Sequence, residues 1–214
     1  MGSTYQGIEI SEDEQAVLVA LETLIGESLP NKNASPGESF CFVEENGHVT
    51  RLDLSICSQD HARDRKPLDH FPEEITRLTW LTHLGLGWNA IKTIPESIGK
   101  LVNLKFLFLA GNRLTTLPES IGLLANLLDL TLGSNPLTSL PNGIGKLQSL
   151  KKIDLSETAL KSLPRSMTKL KSLYCIDLKE TESFDDFNAV EAILKVLAKN
   201  GCNVYYPVPF DEGE

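Results

Sequence analysis

The segment LTHLGLGWNAIKTIPESIGKLVN, Leu81 to Asn103, decides the fold, because the chain repeats it. LKFLFLAGNRLTTLPESIGLLAN follows at once from Leu104, LLDLTLGSNPLTSLPNGIGKLQS from Leu127 and LKKIDLSETALKSLPRSMTKLKS from Leu150; a fifth start, LYCIDLKET, opens at Leu173. The starts fall at a constant period of 23 residues. A fixed period of this length marks a stack of supersecondary units, and it constrains the architecture before any local feature is read.

The unit from Leu104 carries its apolar set at Leu104, Leu107, Leu109, Leu114, Leu117, Ile121 and Leu124. LxxLxL reads as a short strand, with Leu107 and Leu109 pointing one way and Phe106 and Phe108 the other. Gly111-Asn112 breaks the strand, and Pro118 after Leu117 favours an extended turn and a short irregular or 3₁₀ return over a long helix. One such coil cannot bury its own apolar side chains. Stacked on its neighbours it shares a continuous core, at roughly 1.5–3 kcal/mol per buried aliphatic side chain. Successive strands are then parallel, about 4.8 Å apart, and the bulkier returns curve the stack with the strands on its concave side.

Asn89, Asn112 and Asn135 hold one repeat position, and Cys57, Thr158 and Thr181 hold it in the outer copies. A side-chain amide buried at this turn can bond backbone groups of its own coil and of the next. Unpaired, those groups would cost roughly 1–3 kcal/mol each. Thr and Cys supply fewer bonds than Asn, so a looser ladder is expected at both ends.

The pattern LxxLxLxxNxLxxLPxxIxxL, running from Val49 to about Thr181, resembles the leucine-rich repeat family. Its 23-residue period and LPxxIGxL segment are similar to the intracellular type found in Ras-pathway scaffolds, Scribble-like and plant Ras-group-related proteins, and to small stand-alone microbial members. The resemblance implies an α/β leucine-rich repeat solenoid, or horseshoe, with a parallel concave sheet, short convex returns and helical caps at both ends. It also implies a non-catalytic protein-binding module that uses the concave sheet. Two roles remain open: a signalling or GTPase-linked adaptor, as the resemblance implies, or a structural assembly subunit of a larger complex, enzymatic or not. The repeat itself carries no chemistry.

A chain of 214 residues suits one domain. Its net charge of −9 disfavours nucleic acid and anionic membrane as partners. It holds no apolar run of 18 residues or more and no basic-apolar leader, so no membrane span is expected. Cys41, Cys57, Cys175 and Cys202 are scattered rather than clustered, which favours a reducing cytoplasm. A monomer is expected.

Residues 1–48 read as an N-terminal cap. Ser11 and Glu14 form a capping box, and Val17, Leu18, Leu21, Leu24 and Ile25 form an apolar helical stripe ended by Gly26. Asn46-Gly47 then signals a hairpin between two extended runs, Phe40–Glu45 and His48–Leu54. Repeats occupy 49–180: 49–80, 81–103, 104–126, 127–149, 150–172 and a partial 173–180. The first spans 32 residues, nine more than the period, and the surplus falls in SQDHARDRK, Ser58 to Lys66. That stretch is either a solvated surface insertion or a loop overhanging the concave face. Residues 181–214 read as a second cap: a helix begun by Asp185 or Asp186, with Phe187, Val190, Ile193, Leu194 and Leu197 on one face, then a last strand from Asn203 to Tyr206.

The alternation writes out the concave face. Its third position gives Arg51, His83, Phe106, Asp129, Lys152 and Cys175; its fifth gives Asp53, Gly85, Phe108, Thr131, Asp154 and Asp177; its eighth gives Ile56, Trp88, Gly111, Ser134, Glu157 and Glu180. Most are polar, as a wet sheet face requires. Trp88, Phe106 and Phe108 are not, and exposed aromatics grouped on one face suggest a binding centre for a protein or peptide. His83, Leu128, Asp129 and Arg51 border it. The competing reading is that the aromatics only pack beneath the insertion. A strip of Asp154, Glu157, Asp177 and Glu180 beside Lys151, Lys152 and Lys179 is either a solvated face or a dock for a basic peptide.

Catalytic readings fail. Cys175 has no histidine in a neighbouring strand to act as base. Asp60, His61, Asp64 and His70 share the insertion region but match no metal spacing. Gly87, Gly111 and Gly133 are turn glycines of the repeat, not a phosphate loop. No catalytic residue, cofactor or metal site is assigned.

Overall fold

A computed structural model describes residues 3–31, 40–56, 66–181 and 184–206. The chain begins with a two-stranded hairpin, β1 (Ser3–Tyr5) and β2 (Ile8–Ile10). Gln6 and Gly7 turn it with φ of 51° and 81°, the left-handed pair that suits a two-residue hairpin loop. The repeat pattern carries no sign of this hairpin. Helix α1 (Glu12–Ile25) follows, with Ser11 Oγ accepting from the Glu14 N–H and Gly26, at φ 80°, closing it through a bond to the Glu22 carbonyl.

Two details of α1 differ from the sequence reading. Leu24 is exposed rather than part of the buried stripe, which is Glu14, Val17, Leu18 and Leu21. Nor does the Glu14 carboxylate complete a capping box on Ser11. It turns inward at 4% exposure, accepts the Val49 N–H at 3.2 Å and receives Ser11 Oγ–H at 3.0 Å. A buried carboxylate is tolerated only with such partners, and here they tie the helix to the strand that starts the repeats.

That strand belongs to the hairpin β3 (Cys41–Glu45) and β4 (His48–Asp53). Asn46 and Gly47 turn it at φ 55° and 80°. Then come β5 (His83–Gly85), β6 (Phe106–Phe108), β7 (Asp129–Thr131), β8 (Lys152–Asp154) and β9 (Cys175–Asp177). Helix α2 (Phe187–Lys199) and β10 (Asn203–Tyr205) complete the described chain. The sheet runs β3 to β10 in sequence order, parallel from β4 onward and antiparallel only at β3. Each return is a five-residue 3₁₀ turn entered through a proline: Glu73–Arg77 after Pro72, Glu96–Lys100 after Pro95, Glu119–Leu123 after Pro118, Asn142–Lys146 after Pro141 and Arg165–Lys169 after Pro164. Proline presets the extended entry and gives up no bond there.

The core is one column of leucines and isoleucines along the stack. Leu84, Leu86, Leu107, Leu109, Leu130, Leu132, Ile153, Leu155, Ile176 and Leu178 are all buried in it. On the convex side the returns touch backbone to backbone. A Cβ on Gly122 would run into the Gly143 carbonyl, and one on Gly145 into that of Ser166. At the far end α2 buries Val190, Ile193, Leu194 and Leu197. Phe187 departs from the expected packed face: it is exposed, with its ring 5.8 Å from that of Tyr206.

The asparagines are wired as a ladder. Asn89 accepts the Leu68 N–H and donates to the carbonyls of Leu54, Leu86 and Gly87. Asn112 accepts the Ile91 N–H and donates to Leu86, Leu109 and Ala110. Asn135 accepts the Leu114 N–H and donates to Leu109, Leu132 and Gly133. Thr158 and Thr181 each donate once, within their own coil, to Leu155 and Leu178. Cys57 and residues 58–65 of the insertion lie outside the described residues.

Candidate binding surface

Register pairing lines up the concave side chains. Arg51, His83, Phe106, Asp129, Lys152 and Cys175 sit side by side along the third position, and Asp53, Gly85, Phe108, Thr131, Asp154 and Asp177 along the fifth. Leu107, between Phe106 and Phe108, is buried, while the two phenylalanines are half-buried on the open face. His83 lies flat on Phe106, ring centres 4.4 Å apart at 16°, and Phe106 continues to Phe108 at 6.3 Å and 26°. The result is a continuous stacked strip of three rings across two adjacent strands.

Trp88 stands apart from that strip. It is 60% exposed, and its indole lies against Gly111, where any Cβ would collide with the ring. The eighth position is left-handed in successive coils, with φ of 57° at Trp88, 68° at Gly111, 53° at Ser134 and Glu157 and 55° at Glu180. Four of those five residues carry a side chain, at a cost of roughly 1–2 kcal/mol each. The coil geometry therefore holds Trp88 in a conformation its own type disfavours. The glycine one coil on makes room for the ring.

The border residues differ in state. Burial, then Arg51 and Lys105, hold the His83 imidazole below its ordinary titration range, so it stacks as a neutral ring at neutral pH. Leu128 is half-buried at the second position of its coil. Arg51 Nη2 lies 3.7 Å from Asp53 Oδ2, and Asp53 lies over Gly85, occupying the space a Cβ would need. Asp129 is the exception: burial pushes its carboxyl up, against the pull of Lys152, and its buried Oδ1 has no hydrogen-bond partner among the described residues.

The acidic strip is largely engaged by its own chain. Asp154 Oδ1 accepts the Ser156 N–H and Oγ–H, Asp177 Oδ1 accepts the Lys179 N–H, and Glu157 Oε2 accepts Ser134 Oγ–H. Asp53 does the same for the Ser55 N–H. The aspartates at the fifth position thus pin the chain where it leaves the strand, a role legible from the recurring Asp-x-Ser of Asp53–Ser55 and Asp154–Ser156.

For chemistry, Cys175 sits between Lys152 and Asn203. Burial raises its thiol, and raises that of Cys202 to about 12, so neither is an activated thiolate. His70 is paired with Asp69 at 2.6 Å and exposed; Asp60, His61 and Asp64 lie outside the described residues. Among the described residues no three His, Cys, Asp or Glu side chains gather as an ion site, and no helix is long and apolar enough to cross a membrane.

Comparison with known proteins agrees with the geometry. Two family models described as leucine-rich repeat match residues 103–124 and 125–182. No curated protein matches the chain. Among solved structures, a leucine-rich repeat protein of Leptospira interrogans is similar, with a TM-score of 0.64 and 32% identity over 72% of this chain. The chain spans only 36% of that protein's length. The matched segments coincide with the coils whose asparagines, prolines and leucines repeat in register, and by these marks the chain belongs to the leucine-rich repeat family.

Proposed function

We propose that the chain is a protein-interaction module whose concave face grips an apolar or aromatic side chain of its partner on the His83–Phe106–Phe108 strip. Trp88 and Leu128 flank the contact, and Arg51 lies at its edge. The observation that carries this reading is the stacked, half-exposed ring strip. Rings left wet on a solvated sheet face are costly, and they are the groups that most often dominate interfaces. Asp129 adds selectivity: its half-buried carboxyl beside Phe106 suits a partner that offers a hydrogen-bond donor next to its apolar anchor.

The module acts without catalysis, as a cytoplasmic monomer. As an adaptor, signalling or GTPase-linked, it exchanges partners; as an assembly subunit it would hold one partner permanently. The acidic net charge argues against nucleic acid and anionic membrane as targets. Selection of a displayed peptide library on the chain, with counter-selection on a Phe106→Ala/Phe108→Ala variant, tests the site. Enrichment of peptides with an aromatic or aliphatic anchor that the double variant fails to bind supports it. Peptides that bind both forms equally would remove the function from this strip.

A further inference from the structure

A second surface lies outside the concave face, at the edge where the strands begin. The β3–β4 hairpin, through Glu45, Asn46, His48 and Thr50, lines a groove of about 540 Å³ together with residues just before and at the starts of the next coils. Its platform is Trp80, 53% exposed and stacked on the His48 imidazole with ring centres 4.4 Å apart at 15°. His48 Nδ1 faces Oε2 of the buried Glu14 at 3.4 Å, without a hydrogen-bond partner among the described residues; the other Glu14 oxygen accepts the Val49 N–H. A buried carboxylate, an imidazole and an exposed indole therefore stand in series, with the imidazole backing one face of the indole.

Beside the indole the repeat supplies amides. Trp80, Asn103 and Asn126 occupy the same place in consecutive coils, so they follow one another at about the strand spacing of 4.8 Å. Each amide donates to the backbone of the preceding coil, Asn103 to the Thr79 carbonyl and Asn126 to that of Val102, both at 2.9 Å. That bond orients the amide and leaves its carbonyl oxygen to accept. Glu45 adds a carboxylate and Lys105 an ammonium to the lining, so these two charges cancel.

We infer that this groove binds a neutral oligosaccharide. The donor and acceptor count favours it. The acceptors, two oriented amide oxygens and the exposed Glu45 carboxylate, call for a ligand rich in hydroxyl donors, and the stacked indole calls for an apolar face beside them. A sugar ring offers hydroxyls at its rim and C–H groups on its face. The balanced charge disfavours a phosphate or a cation. A peptide backbone presents fewer donors per unit length and needs a separate side chain to cover the indole. The few oriented polar groups and the aromatic floor are those of a small-ligand site.

The test is an array of defined neutral glycans probed with the intact chain, Trp80→Ala and Tyr174→Ala. Tyr174 is an equally exposed aromatic near the other end of the sheet and controls for unspecific stacking. Free oligosaccharides of the array hits are then titrated by calorimetry. The inference predicts that the intact chain and Tyr174→Ala bind a common set of glycans, and that Trp80→Ala binds them at least about tenfold more weakly with an unchanged melting temperature. Glu14→Gln should weaken the same glycans less than Trp80→Ala and leave their ranking intact, because it loosens the platform without removing it. No glycan above the Trp80→Ala level, equal binding by Trp80→Ala, or a groove occupied by selected peptides in competition with every glycan would each overturn it. Because the concave rings are not involved, failure here leaves the protein-binding reading standing, and the reverse holds.

Discussion

Replacing the ladder asparagines one at a time by leucine should not cost the same amount, and the order follows from shared acceptors. Asn112 is 6% exposed and makes four hydrogen bonds. In Asn112→Leu, however, the Leu86 carbonyl keeps Asn89 and the Leu109 carbonyl keeps Asn135, while the Ala110 carbonyl keeps the Trp88 N–H. Only the Ile91 N–H is left without a partner. One orphaned buried amide costs about 1–3 kcal/mol, and the weakened carbonyls add a few tenths each, so about 2 kcal/mol is expected. Asn89→Leu orphans the Leu68 N–H and leaves the Leu54 carbonyl without a partner among the described residues. Asn135→Leu orphans the Leu114 N–H and the Leu132 carbonyl, since Thr158 bonds only Leu155. Each should cost about 3–4 kcal/mol. Asn142→Ala, on an exposed convex return, should stay within about 0.5 kcal/mol. Urea unfolding of the four variants gives the order, and amide exchange gives the location: in Asn112→Leu the Ile91 amide should lose protection ahead of its neighbours. A central variant as damaging as the two outer ones, or as harmless as Asn142→Ala, would refute the argument from shared acceptors.

Three further outcomes follow. Phe106→Ala and Phe108→Ala should each weaken binding of a selected peptide by roughly 2 kcal/mol, about thirtyfold, with little change in melting temperature; lost stability with retained affinity would make the rings packing residues. Gly122→Ala and Gly145→Ala should each destabilise by about 1–3 kcal/mol, because the new methyl meets backbone of the next return; Gly87→Ala, whose nearest neighbour leaves ordinary space, should cost less by thermal unfolding. The His83 imidazole, held down by burial and two cations, should titrate below its ordinary value in a proton NMR series. Its contribution to stability is present above the unfolded value and lost as pH falls through the folded one. A midpoint at or above the ordinary value would contradict the packed, neutral stack.

The parts of this molecule legible from the chain are those that recur. The 23-residue spacing, the inward pair at Leu107 and Leu109, the prolines before each return and the asparagine position each appear several times, so one physical reading is checked against several copies. Leu–x–Leu alternation fixes which face is wet, and this is why Phe106 and Phe108 could be placed on the open side from residue order alone. Asn46-Gly47 and Ser11 are equally local signals, and they end or turn their elements as their chemistry requires.

Tertiary structure decided what depends on residues far apart in sequence. Glu14 reads as a capping partner three residues from Ser11, yet its buried oxygens serve Val49, 35 residues away. Leu24 and Phe187 fit a helical stripe by spacing, yet both are exposed in the assembled stack. The left-handed φ at Trp88 recurs at the same position in each of the next four coils, so it belongs to the path from coil to coil, and a tryptophan gives no local sign of it. Asp154 and Asp177 of the acidic strip look solvated by residue type, while their oxygens cap chain leaving the sheet. Trp80 breaks the repeat only by standing where the next coils have asparagine. Its meaning appears once His48 of the hairpin lies against its ring. Periodic information specifies each coil; the placement of one coil's side chains against another's requires the stack to be assembled.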